Sequence, residues 1–147
     1  MKKSLIFAFS FLFLVSNLFS ESSSKYKFTF PSYSSRGYRV EKRQIYATED
    51  TGFSELRAYV KELLLGPEKY RSRPLFTLGT SLEFCTVQKD CAFIGLSEEL
   101  LSCENNAVDI TEGFEFLRKN ILDNFASSGI KKVEIFVNCR ETYPWDI

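Results

Sequence analysis

Residues 53–67 read FSELRAYVKELLLGP, and this stretch decides the fold. Phe53, Leu56, Val60, Leu63 and Leu64 recur at i, i+3, i+7, i+10 and i+11, one stripe of a 3.6-residue repeat. The spacing predicts an amphipathic helix that stops at Gly66-Pro67. Glycine supplies the left-handed closing conformation there, and proline cannot continue the helix. A helix with a single apolar stripe must bury it against another layer, and the flanking sequence supplies strands.

Downstream, Leu82 to Val87 (LEFCTV) and Cys91 to Leu96 (CAFIGL) predict a β-hairpin turning around Gln88-Lys89-Asp90. Leu82, Phe84 and Thr86 share one face of the first strand; Ala92, Ile94 and Leu96 share one face of the second. With both sets turned to the core, Cys85 and Cys91 project together from the outer face. A second helix is expected from about Asp109 to Ser127, with Ile110, Phe114, Leu117, Ile121 and Phe125 on one stripe and Asp109/Glu112 as a variant capping box. Gly129 closes it. Val133, Ile135 and Val137 then alternate as a last strand. Upstream, Lys25 to Pro31 (KYKFTFP) alternates at period two, and Tyr38 to Tyr46 (YRVEKRQIY) is an imperfect second strand. The order β-β-α-β-β-α-β predicts an α+β two-layer sandwich: a mixed sheet of about five strands with both helices on one face.

The N-terminus has a different character. Lys2 and Lys3 precede the uncharged, Phe-rich run Leu5 to Val15, and Leu18-Phe19-Ser20 offers a cleavage site with a small last residue. Leu5 to Phe19 falls short of the roughly 20 residues that span a bilayer. Residues 1–20 read as a cleaved signal peptide rather than an uncleaved anchor, 21–25 as a polar spacer and 26–147 as one domain. No cysteine follows the apolar run to accept a lipid. An exported, periplasmic or extracellular location is expected.

The chain has 19 Lys+Arg, 19 Asp+Glu and no histidine. Balanced charge speaks against a nucleic-acid partner. Without histidine there is no Ser-His-Asp or Cys-His nucleophile pair and no His-bearing metal site. Four cysteines, Cys85, Cys91, Cys103 and Cys139, read in an oxidising compartment as two disulfides with three possible connectivities. The outer-face geometry of the hairpin favours 85–91, leaving 103–139. Zinc is the rival reading, and spacings of five, eleven and thirty-five residues suit it poorly.

From Tyr38 to Tyr143 the chain resembles a GerMN domain, the module of bacterial sporulation and spore-germination proteins and of some envelope lipoproteins. The carrying residues are Glu62-Leu63-Leu64-Leu65-Gly66-Pro67, Leu78-Gly79-Thr80-Ser81-Leu82, Ile94-Gly95-Leu96-Ser97-Glu98-Glu99 and Gly129-Ile130-Lys131-Lys132-Val133-Glu134-Ile135-Phe136-Val137. The L-L-x-G-P helix end is the most specific of these. The resemblance implies an envelope module, similar in fold to ring-building motifs of secretion-type assemblies, with no established catalytic residues. Members commonly carry aspartate where Gly95 stands, many are lipid-anchored, and the four cysteines are a local addition.

Candidate sites follow from charge and aromatics. Glu98/Glu99 and Asp109/Glu112 are acidic pairs, but adjacent glutamates rarely converge on a substrate, and the second pair has a capping role. Lys25, Lys27, Arg36, Arg39, Lys42 and Arg43, interleaved with Tyr26, Tyr33 and Tyr38, form a basic cluster. It reads either as charge that protects an edge strand from aggregation or as a contact surface for an acidic partner, with Arg39, Lys42 and Arg43 the contact residues. Trp145, the only tryptophan, either packs on its own domain or anchors in a partner. The expected function is a non-catalytic envelope module acting through protein contact, by docking or strand addition, with an envelope protein or a second copy as partner. The alternative is a binding module for a glycan or other small envelope ligand, stacking on Phe93 and Phe136. A small hydrolase is disfavoured, and no cofactor is called for.

Overall fold

The computed structural model describes residues 23–33, 37–46, 53–102, 108–138 and 140–141. The expected signal peptide (residues 1–20), Arg36, Cys103, Cys139 and Trp145 lie outside them. Strand β1 (Ser23–Pro31) pairs antiparallel with β2 (Tyr38–Tyr46); helix α1 (Ser54–Leu64) follows. Strands β3 (Leu82–Gln88) and β4 (Cys91–Leu96) form the hairpin. Helix α2 (Ile110–Phe125) then leads to β5 (Lys132–Val137) and the two-residue β6 (Arg140–Glu141).

The α+β class, the element order and the two helices are as expected. The strands, however, divide between two sheets, β1-β2 and β3-β4-β5-β6. In the larger sheet β4 and β5 run parallel, joined by the α2 crossover, while β3 and β6 flank them antiparallel. Ala92, Ile94 and Leu96 on β4 and Val133, Ile135 and Val137 on β5 face the core together. Helix α1 packs on β3 and α2 on β5, so both cover that face. Each helix also meets the β1-β2 hairpin, α1 at β2 and α2 at β1. The core joins these layers through Phe28, Phe30, Tyr59, Leu63, Ile94, Leu117, Ile121 and Ile135, all 0% exposed. No helix among the described residues is long and apolar enough to cross a membrane.

Several expectations are corrected by register. β1 starts at Ser23, inside the stretch expected as a spacer, and pairs Lys25 with Gln44. Phe53 flanks α1 instead of joining its buried stripe and is 45% exposed, while Tyr59, outside the predicted stripe, is fully buried. The β3-β4 hairpin closes on a two-residue loop, Lys89-Asp90, with Gln88 opposite Cys91 and Cys85 opposite Ile94. Lys89 takes φ 57° to make this turn. The turn centre thus sits one and a half residues beyond Gln88, the symmetry point of a Cys85–Cys91 pair, which moves the side chains from Phe84 to Gln88 to the other face. A bulge between Leu82 and Phe84 keeps Leu82, opposite Leu96, on the core face as expected. Cys85 and Val87 face the core; Phe84 and Thr86 face outward beside Cys91 and Phe93. The two cysteines lie on opposite faces, both as free thiols, so the 85–91 bridge does not form.

Candidate contact surface

The two edges of the β1-β2 hairpin are treated differently. The backbone of Lys27 and Thr29 points away from β2, and α2 meets it with two asparagines. The Thr29 N–H donates to Asn120 Oδ1 at 2.7 Å, and Asn120 Nδ2 donates to the Thr29 carbonyl at 2.9 Å. One helical turn on, the Lys27 N–H donates to Asn124 Oδ1 at 3.0 Å and Asn124 Nδ2 donates to the Lys27 carbonyl at 2.8 Å. The i, i+4 spacing of about 6 Å on a helix matches the i, i+2 spacing of a strand. The side-chain amides therefore imitate a neighbouring strand. Tyr59 joins them, its hydroxyl donating to the Lys27 carbonyl at 2.8 Å and accepting from Asn124 Nδ2 at 3.0 Å. Burial, helped by the Asp123 charge, raises the Tyr59 phenol well above its ordinary range. Further along the edge, the Arg73 N–H donates to the Pro31 carbonyl at 2.8 Å and the Tyr33 N–H to the Arg71 carbonyl at 3.1 Å. From Lys27 to Tyr33 the β1 edge is closed.

The β2 edge is open. In an antiparallel pair, residues opposite one another either exchange both backbone bonds or turn both groups away. Lys27 and Thr29 turn away, so their partners Lys42 and Val40 do too, toward the side of β2 where no strand lies among the described residues. Among the described residues no backbone bond reaches Val40 or Lys42. Tyr38, Val40, Lys42 and Tyr46 are exposed on the outer face, with Arg39 exposed at the end of the strand.

The inner face of β2 explains the helix-ending motif. Glu41 and Arg43 are buried there, 2.7 Å apart. The Arg43 guanidinium donates to the Gly66 carbonyl at 2.7 Å and to the Glu62 carbonyl at 3.3 Å, covering the acceptor-rich end of α1. It also lies over the Phe28 ring at 4.9 Å. Glu41 accepts the N–H groups of Glu68 and Lys69 at 3.2 and 3.1 Å. Gly66, at φ 87°, turns the chain so that its carbonyl meets the cation and the next peptides meet the carboxylate. Burial would raise the Glu41 carboxyl; the Arg43 guanidinium and the two N–H donors outweigh it and hold it below its usual value. Arg43, expected at a partner contact, is thus a core residue with a side chain 8% exposed. Arg39 and Lys42 remain on the open edge.

Beside that edge lies a groove of about 370 Å³ between β2 and α1, lined by Ile45, Tyr46, Arg57, Ala58, Lys61 and Glu62 among others. Among the described residues Arg57, Lys61, Arg39 and Lys42 form no ion pair. The acids of α1 are engaged elsewhere. Glu55 takes the Tyr26 hydroxyl at 2.7 Å, and burial, helped by this bond, pushes that phenol up to about 12; Glu62 stands 4.0 Å from Arg43. The groove therefore carries two cations, Arg57 and Lys61, against one acid, Glu62.

The larger sheet presents a second feature. Phe84, Phe93 and Phe136 cluster half-buried on its outer face, with ring centroids 5.8 and 6.3 Å apart along the chain of contacts. Gly95 makes room for this: a β-carbon there would sit 2.1 Å from the Phe84 ring. Phe84 escaped the sequence reading because the turn register put it on the wrong face.

The acidic pairs have structural roles. Asp109 accepts the Thr111 N–H at 2.9 Å as the N-cap of α2, while Glu112 reaches Arg73 at 3.6 Å instead of completing a capping box. Glu98 accepts from Asn138 Nδ2 at 3.0 Å. Among the described residues no three His, Cys, Asp or Glu side chains are placed to hold a metal ion. Burial pushes the Cys85 thiol up to about 11, which leaves it a protonated core residue.

No family model and no curated protein matches the chain. Among solved structures it is similar to the tandem GerMN domains of the sporulation protein GerM from Bacillus subtilis. The TM-score is 0.59 at 14% identity, covering 84% of this chain and 41% of that one. A protein of Clostridium perfringens described as a lipoprotein also aligns, with TM-score 0.47 and 22% identity over 84% and 78% of the two chains. The chain has a GerMN-like fold, and it spans less than half the length of the tandem GerM structure.

Proposed function

We propose that the protein is an exported, non-catalytic module of the bacterial cell envelope that works by protein–protein contact. The observation that carries this is the asymmetry of the β1-β2 hairpin. One edge is sealed by Asn120 and Asn124, while the other is left open beside a groove. Strands left unpaired are a hazard for aggregation, and Lys42 and Arg39 guard this one with charge. Open backbone groups next to a groove suit a partner that adds a strand. The likeness in fold to GerM, a sporulation protein, is consistent with such a role without specifying it. The test is a photo-cross-linking residue at Lys42 in the tagged protein, followed by purification from its own cells' envelope fraction. A stoichiometric cross-linked species that disappears when the cross-linker is moved to the sealed edge is the expected result. Equal yields from both positions would sink the assignment of the edge.

A second reading rests on the Phe84, Phe93 and Phe136 cluster, which offers a stacking platform to a glycan or other small envelope ligand. Thermal shift against envelope saccharides, repeated with Phe136→Ala, separates it from the first. A ligand-dependent rise in melting temperature lost in the variant would favour it.

A further inference from the structure

We infer that the groove between β2 and α1 takes an acidic polypeptide segment in extended conformation, which pairs with β2 through its backbone. The inference rests on the contact reading above and names the chemistry of the partner.

Three observations converge. Val40 and Lys42 turn their N–H and C=O groups to the open side of β2, because their partners Thr29 and Lys27 spend theirs on asparagines. A strand added there lies about 4.8 Å away, and its side chains alternate between two faces. One set points to the inner side, into the groove beside Ile45 and Ala58 and under the rim formed by Arg57 and Lys61. The other set lies beside Tyr38, Val40 and Lys42 on the outer face. Both sets meet cations, and the nearby acids Glu41, Glu55 and Glu62 already have partners.

Lys27 and Lys42 sit directly opposite each other on the outer face, and Lys25 follows on β1. Like charges placed across strands destabilise a hairpin. None of these lysines has an ion-pair partner among the described residues, so an incoming acidic strand would relieve that repulsion. A second copy of the chain does not fit as the occupant. Pairing β2 with β2 of another copy brings the same lysines and arginines together. A folded polyanion without peptide groups would satisfy the charge and leave the backbone groups of Val40 and Lys42 unused.

The test uses the full mature chain and a fluorescein-labelled ten-residue peptide of alternating glutamate and threonine, read by anisotropy at low and moderate salt. Saturable binding that weakens at least tenfold in Lys42→Glu and in Arg57→Glu is expected. Both sites are exposed, and circular dichroism establishes that the variants fold. The same peptide N-methylated at alternate positions keeps its charge and loses its hydrogen bonds along one edge, so it should bind at least tenfold more weakly. Equal binding of the methylated peptide, or its full displacement by inorganic polyphosphate at equal charge, would overturn strand addition in favour of simple polyanion attraction. No binding of the peptide, while the Lys42 cross-linker still captures an envelope partner, would overturn the acidic segment and leave the contact function standing. Failure of the cross-linker as well would remove both.

Discussion

Asn120 holds Thr29 as a neighbouring strand would, accepting its N–H and donating to its carbonyl with one side chain. Asn120 is 1% exposed and Thr29 5%, so water does not compete for these groups. Its Nδ2 also donates to the Phe116 carbonyl one turn back in α2, at 2.8 Å, which fixes the amide orientation. The pair ties the first hairpin to the helix layer, and the open β2 edge keeps its position because of it.

Asn120→Ala removes both partners of Thr29 and leaves a buried N–H and C=O unsatisfied. Each such group costs roughly 1–3 kcal/mol, so a loss of about 3 kcal/mol is expected in urea denaturation. Asn124→Ala, nearer solvent, should cost about 1 kcal/mol or less, because water replaces the amide there. Amide exchange at Thr29 should accelerate in the first variant before that of β4. A smaller loss for Asn120 than for Asn124 would show that the ladder is not what seals this edge.

Acid should reach the Glu41–Arg43 pair in a definite direction. The folded-state carboxyl lies below its usual value of 4.5, so the unfolded chain takes up its proton first as pH falls. The contribution of Glu41 to stability is therefore complete above about pH 4.5 and declines below it. Glu41→Gln should be less stable at neutral pH by about 3 kcal/mol, since it leaves Arg43 buried without its counter-charge. Its stability should also fall less steeply than wild type between pH 5 and 3. Parallel acid limbs in the two proteins would mean that other carboxylates govern the transition.

Gly95 and Phe84 should behave as one unit. Gly95→Ala places a methyl group 2.1 Å from the ring, so the ring must swing outward. Overpacking of this kind costs typically 1–3 kcal/mol, and about 2 kcal/mol is expected here. In a Phe84→Ala background the same change should cost under about 0.5 kcal/mol, a coupling that a double-mutant cycle reads directly. An unchanged cost in that background would assign the glycine to the strand backbone rather than to the ring.

How much of this was legible in the sequence depends on which residues carry the information. Apolar periodicity exposed α1, α2, β4 and β5, since their buried residues recur at 3.6 or 2 and nothing competes with that pattern. The Gly66-Pro67 stop was legible as a stop. Its fastening by Glu41 and Arg43 was not, because a charged i, i+2 pair on a strand reads as solvent-facing. Asn120 was hidden for a related reason: a polar residue among apolar neighbours on a helix gives no sign of the backbone it grips. The hairpin register failed by one and a half residues at the turn, where Lys89 adopts a left-handed conformation that a glycine or asparagine would have announced. That small error put Cys85 on the wrong face and hid Phe84 from the outer cluster.

The same register sets the disulfide count. Cys85 is 6% exposed on the core face and its thiol is pushed up to about 11; Cys91 is half-buried on the opposite face. These two cannot meet through a sheet without unravelling β3. The other two lie outside the described residues; Asn138, next to Cys139 in sequence, donates to Glu98 at 3.0 Å and through its N–H to the Leu96 carbonyl at 3.2 Å. With Cys85 and Cys91 free, a single bridge between the two remaining cysteines, Cys103 and Cys139, is predicted, worth roughly 3–4 kcal/mol if unstrained. Intact mass of the oxidised protein should rise by two hydrogens on reduction, with Cys91 alkylated before Cys85 in the native state. A rise of four hydrogens would mean that Cys85 and Cys91 are both bridged, to each other or to Cys103 and Cys139, and would overturn their assignment as free thiols. No rise at all would leave the 103–139 pairing without support, while alkylation of Cys85 first would contradict its burial beneath α1.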